Sequence, residues 1–290
     1  MQLCQADEVC TTAELTQLWQ QRRQAAQRKR RIIFNNDGNS IVVSLAGKEV
    51  SAQALLDDRT IPLLGTHVDS IFYCSWSTGL GLFTHMSEFV EPFYAKTGVY
   101  GVNRTQEFHE RGLDPLKIMV DFCRANDIEI FWSMRMNDIH DADPRWPEVM
   151  PQFKKDHPEL LFGTQQKPPA FGKWSGLDYG LPEVRQRAFR LLEDVCRRYN
   201  VDGIEMDFAR HFPHFSCNAN GEDCAQHERD LMTGLLQRVR KMTEQVGLER
   251  NCPILVAVRI PASLSCCNAI GLDVSHWLEQ QLVDILVPGE

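Results

Sequence analysis

From about residue 31 onward, blocks of apolar and polar positions alternate in an order that reads as strand, helix, strand, helix. Ahead of them, residues 11–30 carry Leu15, Leu18 and Trp19 on one side and predict a helix. It ends in the run Arg28-Lys-Arg-Arg31, which a basic helix terminus explains without nucleic acid. Short apolar runs predict strands at 31–38, 68–76, 128–137, 201–208, 253–260 and 282–287. Helical patterns fall at 114–126, from Pro182 to about Tyr199, and at 227–246. The run Ile41-Val-Val-Ser-Leu45 reads as a small hairpin insertion, and 138–180 as a long irregular stretch rich in Pro, Gly, His and Trp.

Strand–helix alternation of this regularity implies an α/β protein with a parallel sheet. Polar residues gather after each strand, which favours a (β/α)8 TIM-type barrel over a doubly wound sheet. No glycine-rich phosphate fingerprint follows any strand, so no nucleotide cofactor is expected. Six strands reach the last residue where a closed barrel needs eight, so the barrel is expected to be truncated after its sixth strand. The expected organisation is an N-terminal helical extension over 1–30 and a barrel over 31–290.

Composition changes this picture little. The 290 residues suffice for one large core, and 43% apolar with 24% charged content is ordinary for a globular protein. A net charge of −8 argues against a nucleic-acid partner, and no apolar run is long enough to cross a bilayer. The N-terminus lacks the basic-then-apolar order of a signal peptide, so a cytoplasmic location is expected. The 10 cysteines form no CxxC pair and read as reduced, structural thiols, with a Cys217–Cys224 staple as the alternative.

Candidate chemistry concentrates in Val201-Asp-Gly-Ile-Glu-Met-Asp-Phe-Ala-Arg210. Glu205 and Asp207, two residues apart, point to the same side of a buried strand, where unpaired charge costs several kcal/mol. Asp207 lies near the strand's C-terminal end, the catalytic end of α/β folds, and is read as a catalytic carboxylate. Other strand ends offer Asn35, Asn36 and Asp37; Arg135, Asn137, Asp138, His140 and Asp141; Arg210 and His211; and Arg259. Trp76, Trp132, Trp174 and Tyr179 flank them, with Asp178 beside the last. Carboxylates, guanidinium and amide donors, and aromatic faces together suit a carbohydrate substrate. Structural roles compete: Glu205 could pair with Arg135 or Arg259, Asp37 form a turn, Asn137-Asp138 cap a segment, Trp132 belong to the core, and Asp178 order a helix entry. Asp138, His140 and Asp141 could also surround one ion, although no metal is assigned.

Three segments carry a family resemblance: Ser133-Met-Arg-Met-Asn-Asp-Ile-His-Asp141, Leu177-Asp-Tyr-Gly-Leu-Pro-Glu-Val-Arg185 and 201–210. Together they resemble the glycoside-hydrolase-like TIM-barrel proteins, closest to the family 10 glycosylhydrolase-like group, from about residue 31 to the end. The resemblance implies a barrel that acts on, or binds, oligo- or polysaccharide. By position, Asp207 matches the acidic residue ending the fourth strand. The acid/base group implied on a later strand end falls on Glu290, the final residue.

The leading expectation is a glycoside hydrolase with Asp207 as nucleophile or stabiliser and Glu290 as acid/base. Asn36, Asp37, Trp76, Arg135, Asn137, Asp138, His140, Asp178, Tyr179, Glu205, Arg210, His211 and Arg259 would bind substrate. The alternatives are a non-catalytic carbohydrate-binding barrel and a metal-assisted hydrolase or lyase centred on Asp138, His140 and Asp141.

Overall fold

Six strands, joined in the chain by helical and loop segments that return it to the same end, build a parallel sheet in sequence order. They are β1 (Ile32–Asn36), β2 (Val68–Tyr73), β3 (Glu129–Arg135), β4 (Gly203–Asp207), β5 (Leu255–Pro261) and β6 (Ile285–Gly289). Every neighbouring pair is parallel. The computed structural model describes residues 12–289. Within them the sheet curls into the first six strands of a (β/α)8 pattern. No helix among the described residues is long and apolar enough to cross a membrane.

Alternation along the strands divides two cores. Ile71, Tyr73, Ile130, Trp132, Met134, Ile204, Met206, Val256 and Val258 point outward and pack beneath the helices. Those helices include α1 (Thr12–Ala26), α2 (Ala52–Arg59), α3 (Pro115–Ala125), α4 (Pro182–Arg198) and α5 (Gln226–Arg250). The helix starts follow local rules: Asp114 caps α3 by accepting from Leu116 N, and Pro182 occupies the first turn of α4 with Glu183 beside it.

The opposite parity faces the barrel interior in layers set by the register. Phe131, Gly203 and Leu255 form one row, Ser133, Glu205 and Ala257 the next, and Arg135, Asp207 and Arg259 the last. The lower row is tight. A Cβ on Gly203 would lie 2.1 Å from the Phe131 ring, so this strand position requires glycine. Phe72, Phe131, Leu255 and Ala257 form the interior apolar cluster, against which Ala25 and Ala26 pack from the end of α1.

The basic run after α1 finds intramolecular partners at the same end. Arg30 binds both oxygens of Glu129 at 2.6 and 2.7 Å, and Arg31 pairs with Asp69 at 2.6 Å. Helix α1 meets late parts of the chain there too, since Arg22 reaches Glu244 of α5 at 2.8 Å and Asp284, just before β6, at 3.4 Å.

Two sequence readings are corrected. Residues 41–45 form no hairpin; Ser40–Val43 is a helical turn that buries Ile41, Val42 and Leu45 against Tyr100 and Phe108. The long stretch after β3 is ordered by short helical turns, including Gln152–Asp156, rather than being irregular throughout. Cys74, Cys123, Cys196, Cys224 and Cys267 are buried, and Cys217 and Cys224 stand 3.5 Å apart as unbonded thiols.

Candidate functional site

The upper interior row opens into a cleft of about 350 Å³ at the C-terminal ends of the strands. Asn35, Asp37, Cys74, Ser133, Arg135, Asp207, Ala209, Arg210 and Arg259 line it. The register explains the convergence: Arg135, Asp207 and Arg259 are directly paired positions on three adjacent strands, so a carboxylate sits between two guanidinium side chains.

Asp207 is 7% exposed. Its Oδ1 accepts from the backbone N–H groups of Ala209 and Arg210, both at 3.0 Å, and Arg259 Nε lies 3.8 Å away. No hydrogen bond to Oδ2 is made among the described residues. Burial lifts the Asp207 carboxyl above its ordinary value, against the opposing pull of Arg259 and the two amides.

Glu205 sits one layer deeper and is fully buried. It accepts a short hydrogen bond from Ser133 Oγ and is gripped by Arg259, whose Nη2 lies 3.0 Å from Oε1. Burial raises its carboxyl as well, with Arg259 and Ser133 acting in the other direction. This is the Arg259 pairing that competed with a site role. Glu205 holds Arg259 from below and does not line the cleft.

Arg135 is 2% exposed and divides its guanidinium between Asp37 Oδ1 at 2.9 Å and Asp138 Oδ2 at 3.1 Å. It also stacks over the Trp76 ring at 5.0 Å. Ser75 and Trp76 are both left-handed, with φ 52° and 23°. Gly38 makes that turn possible, since a Cβ there would come within 2.8 Å of both backbone nitrogens.

Several expected site residues lie elsewhere. Asn36 turns away from the cleft and accepts from Gly38 N at 2.9 Å, leaving Asn35 on the lining. The aromatic platform is largely buried: Trp132 and Tyr179 are inaccessible and Trp76 packs among Phe93, Tyr100 and His140. Tyr179 donates its hydroxyl to Met136 O, and Asp178 accepts from Gly180 N and from Ser216 Oγ at 2.5 Å. Asn137 ties three loop segments together, donating to Leu177 O and Pro213 O and accepting from Leu177 N. These three are loop-ordering residues.

Asp138, His140 and His211 gather beside Trp76 at the rim, whereas Asp141 is withdrawn into a buried pair with Lys154 at 2.7 Å. Glu290 lies outside the described residues. Sequence reading missed Cys74 and Ser133 on the lining. Their inward parity, two residues from Phe72 and Arg135 respectively, was the available signal. Burial pushes the Cys74 thiol up to about 12, so it lines the cleft as a neutral group.

No family model and no curated protein sequence matches the chain. Among solved structures, alpha-L-fucosidase isoenzyme 2 from Paenibacillus thiaminolyticus superposes with a TM-score of 0.50 at 13% identity, over 79% of this chain and 32% of that one. The GH36 alpha-galactosidase AgaA from Geobacillus stearothermophilus in complex with raffinose gives 0.49 at 12% identity, over 96% of this chain and 34% of that one. The chain thus spans about a third of the length of each of these two structures. At these identities the likeness is one of fold: the described residues form six strands of a TIM-type α/β barrel, with a polar cleft at their C-terminal ends.

Proposed function

We propose that this chain is part of a glycoside hydrolase in which Asp207 supplies a catalytic carboxylate. The observation that carries the reading is the Asp207 environment. A buried carboxyl at a strand's C-terminal end has one oxygen fixed by two amides, and it faces a cleft between two arginines. Fixing Oδ1 orients the group without spending its other oxygen, which suits a nucleophile or a stabiliser of an oxocarbenium-like transition state. Burial makes its anion more basic than that of a surface aspartate. Arg210, Arg259 and Asn35 would donate to sugar hydroxyls. The motif resemblance to the family 10 glycosylhydrolase-like group supports the same substrate class.

Glycoside hydrolysis needs a second carboxyl group. On the lining that partner is Asp37, held by Arg135, and Glu290 keeps its place as the resemblance's candidate. The Asp37–Arg135 pair also favours a second reading, a carbohydrate-binding barrel, because it offers sugar hydroxyls a donor and an acceptor side by side on the lining.

The test is turnover of an aryl-glycoside and oligosaccharide panel by the full-length protein and its Asp207→Asn variant. Loss by about 10³-fold or more, with the melting temperature retained, is the expected result. Equal turnover by both proteins would remove Asp207 from the mechanism. Sugar binding without turnover by either would establish the binding barrel instead.

A further inference from the structure

The loops leaving β3 and β4 meet at a group of side chains that the glycosidase reading does not use. Asp138, His140 and His211 each present a ligand-type atom, and the three atoms lie within 4.8 Å of one another. His140 Nδ1 is 2.9 Å from Asp138 Oδ1 and 3.0 Å from Oδ2, and His211 Nδ1 is 4.0 Å from Oδ2. Nitrogen and oxygen ligands about 2.1 Å from a shared ion stand at separations of this order.

A second observation points to a ligand. His211 Nδ1 is buried and has no hydrogen-bond partner. Native interiors rarely leave such an atom unsatisfied without an ion or water nearby. The rings are already oriented: His140 and His211 meet edge to face at 5.0 Å, and His140 packs against Trp76 at 5.6 Å. Both keep partial solvent access, at 27% and 20% of their side-chain surfaces.

The competing groups are Arg135, 3.1 Å from Asp138 Oδ2, and the His140 backbone N–H, which donates to Oδ1 at 3.0 Å and leaves that oxygen a second lone pair. Arg135 is shared with Asp37, so its charge is balanced from a second side, and it engages only one of the two Asp138 oxygens.

We propose that Asp138, His140 and His211 form a binding site for a divalent transition-metal ion, with Zn²⁺ the ion that suits two imidazole nitrogens and one carboxylate oxygen. Three protein ligands leave a coordination position for water or a hydroxyl. The ion would join the loop after β3 to the loop after β4 at the rim of the cleft. The site is independent of Asp207, so failure of the glycosidase test leaves it standing.

The experiment is a Zn²⁺ titration of the chelator-treated, tag-free full-length protein, followed by calorimetry and metal analysis, with Co²⁺ spectra as an optical report. Wild type is expected to hold one equivalent of Zn²⁺ that His140→Ala and His211→Ala each weaken by about 10-fold or more. A Cys217→Ser/Cys224→Ser variant should retain it, and bound Co²⁺ should show visible bands without intense sulfur charge transfer. Absence of binding to wild type overturns the proposal. So does binding that persists in both histidine variants, since that places the ion on thiols.

Discussion

At the scale of single residues, the site is governed by how two arginines are shared among four carboxylates. Arg259 serves Glu205 closely and Asp207 at longer range, while Arg135 serves Asp37 and Asp138. Asp207 is therefore the carboxylate with the least firmly committed cation, and its carboxyl stands above its ordinary value because burial outweighs that partial pairing. Removing Arg259 should raise it further. If turnover needs the ionised form, activity is present above the Asp207 pKa and lost as pH falls through it. Arg259→Gln should then move the acidic limb of kcat/KM to higher pH. The limb can be followed kinetically, or by carboxyl NMR where turnover is slow; an unmoved limb would show that Arg259 does not hold the Asp207 charge. Asp207, Arg135 and Arg259 were legible in sequence because each interrupts an apolar strand on the inward parity. Asn36 was not, because β1 is half exposed and its alternation is weak; Asn35 is the lining residue. Asp178 and Tyr179 lie in a loop, where no period tells a site residue from one that ties the chain together.

At the scale of elements, strand periodicity carried most of the architecture. All six main strands and helices α1, α3, α4 and α5 overlap the segments that their apolar spacing predicts. The run at 41–45 failed for a physical reason: five residues of mixed apolar character fit a short strand or a helical turn equally, and packing on Tyr100 and Phe108 decided for the turn. Packing also explains Gly203, whose missing side chain is the space that Phe131 fills. Gly203→Ala should cost about 1–3 kcal/mol through overpacking, and Phe131→Leu in the same chain should return part of it. Denaturant melts of the two single variants and the double variant check this. Strict additivity would mean that the two positions are not coupled.

At the scale of the whole molecule, the functional end and the stabilising end of the barrel are separate. Polar rows face the cleft, while Phe72, Phe131, Leu255 and Ala257 meet the end of α1 at the opposite side. The first helix therefore belongs to the floor of the barrel in its contacts, although it precedes the first strand in the chain. Its partners emerge late, since Arg22 and Glu244 are separated by 222 residues. During synthesis at about 5–20 residues per second, α1 waits roughly 10–45 s for the surface it covers. Protease challenge of stalled nascent chains should find α1 cleavable until Glu244, Leu255 and Ala257 have all left the exit tunnel, and protected thereafter. Early protection would mean that it docks first on something else. Ribosome pace thus enters the folding of this protein through its first helix, which leaves the exit tunnel early and must be kept from wrong partners until its own arrive.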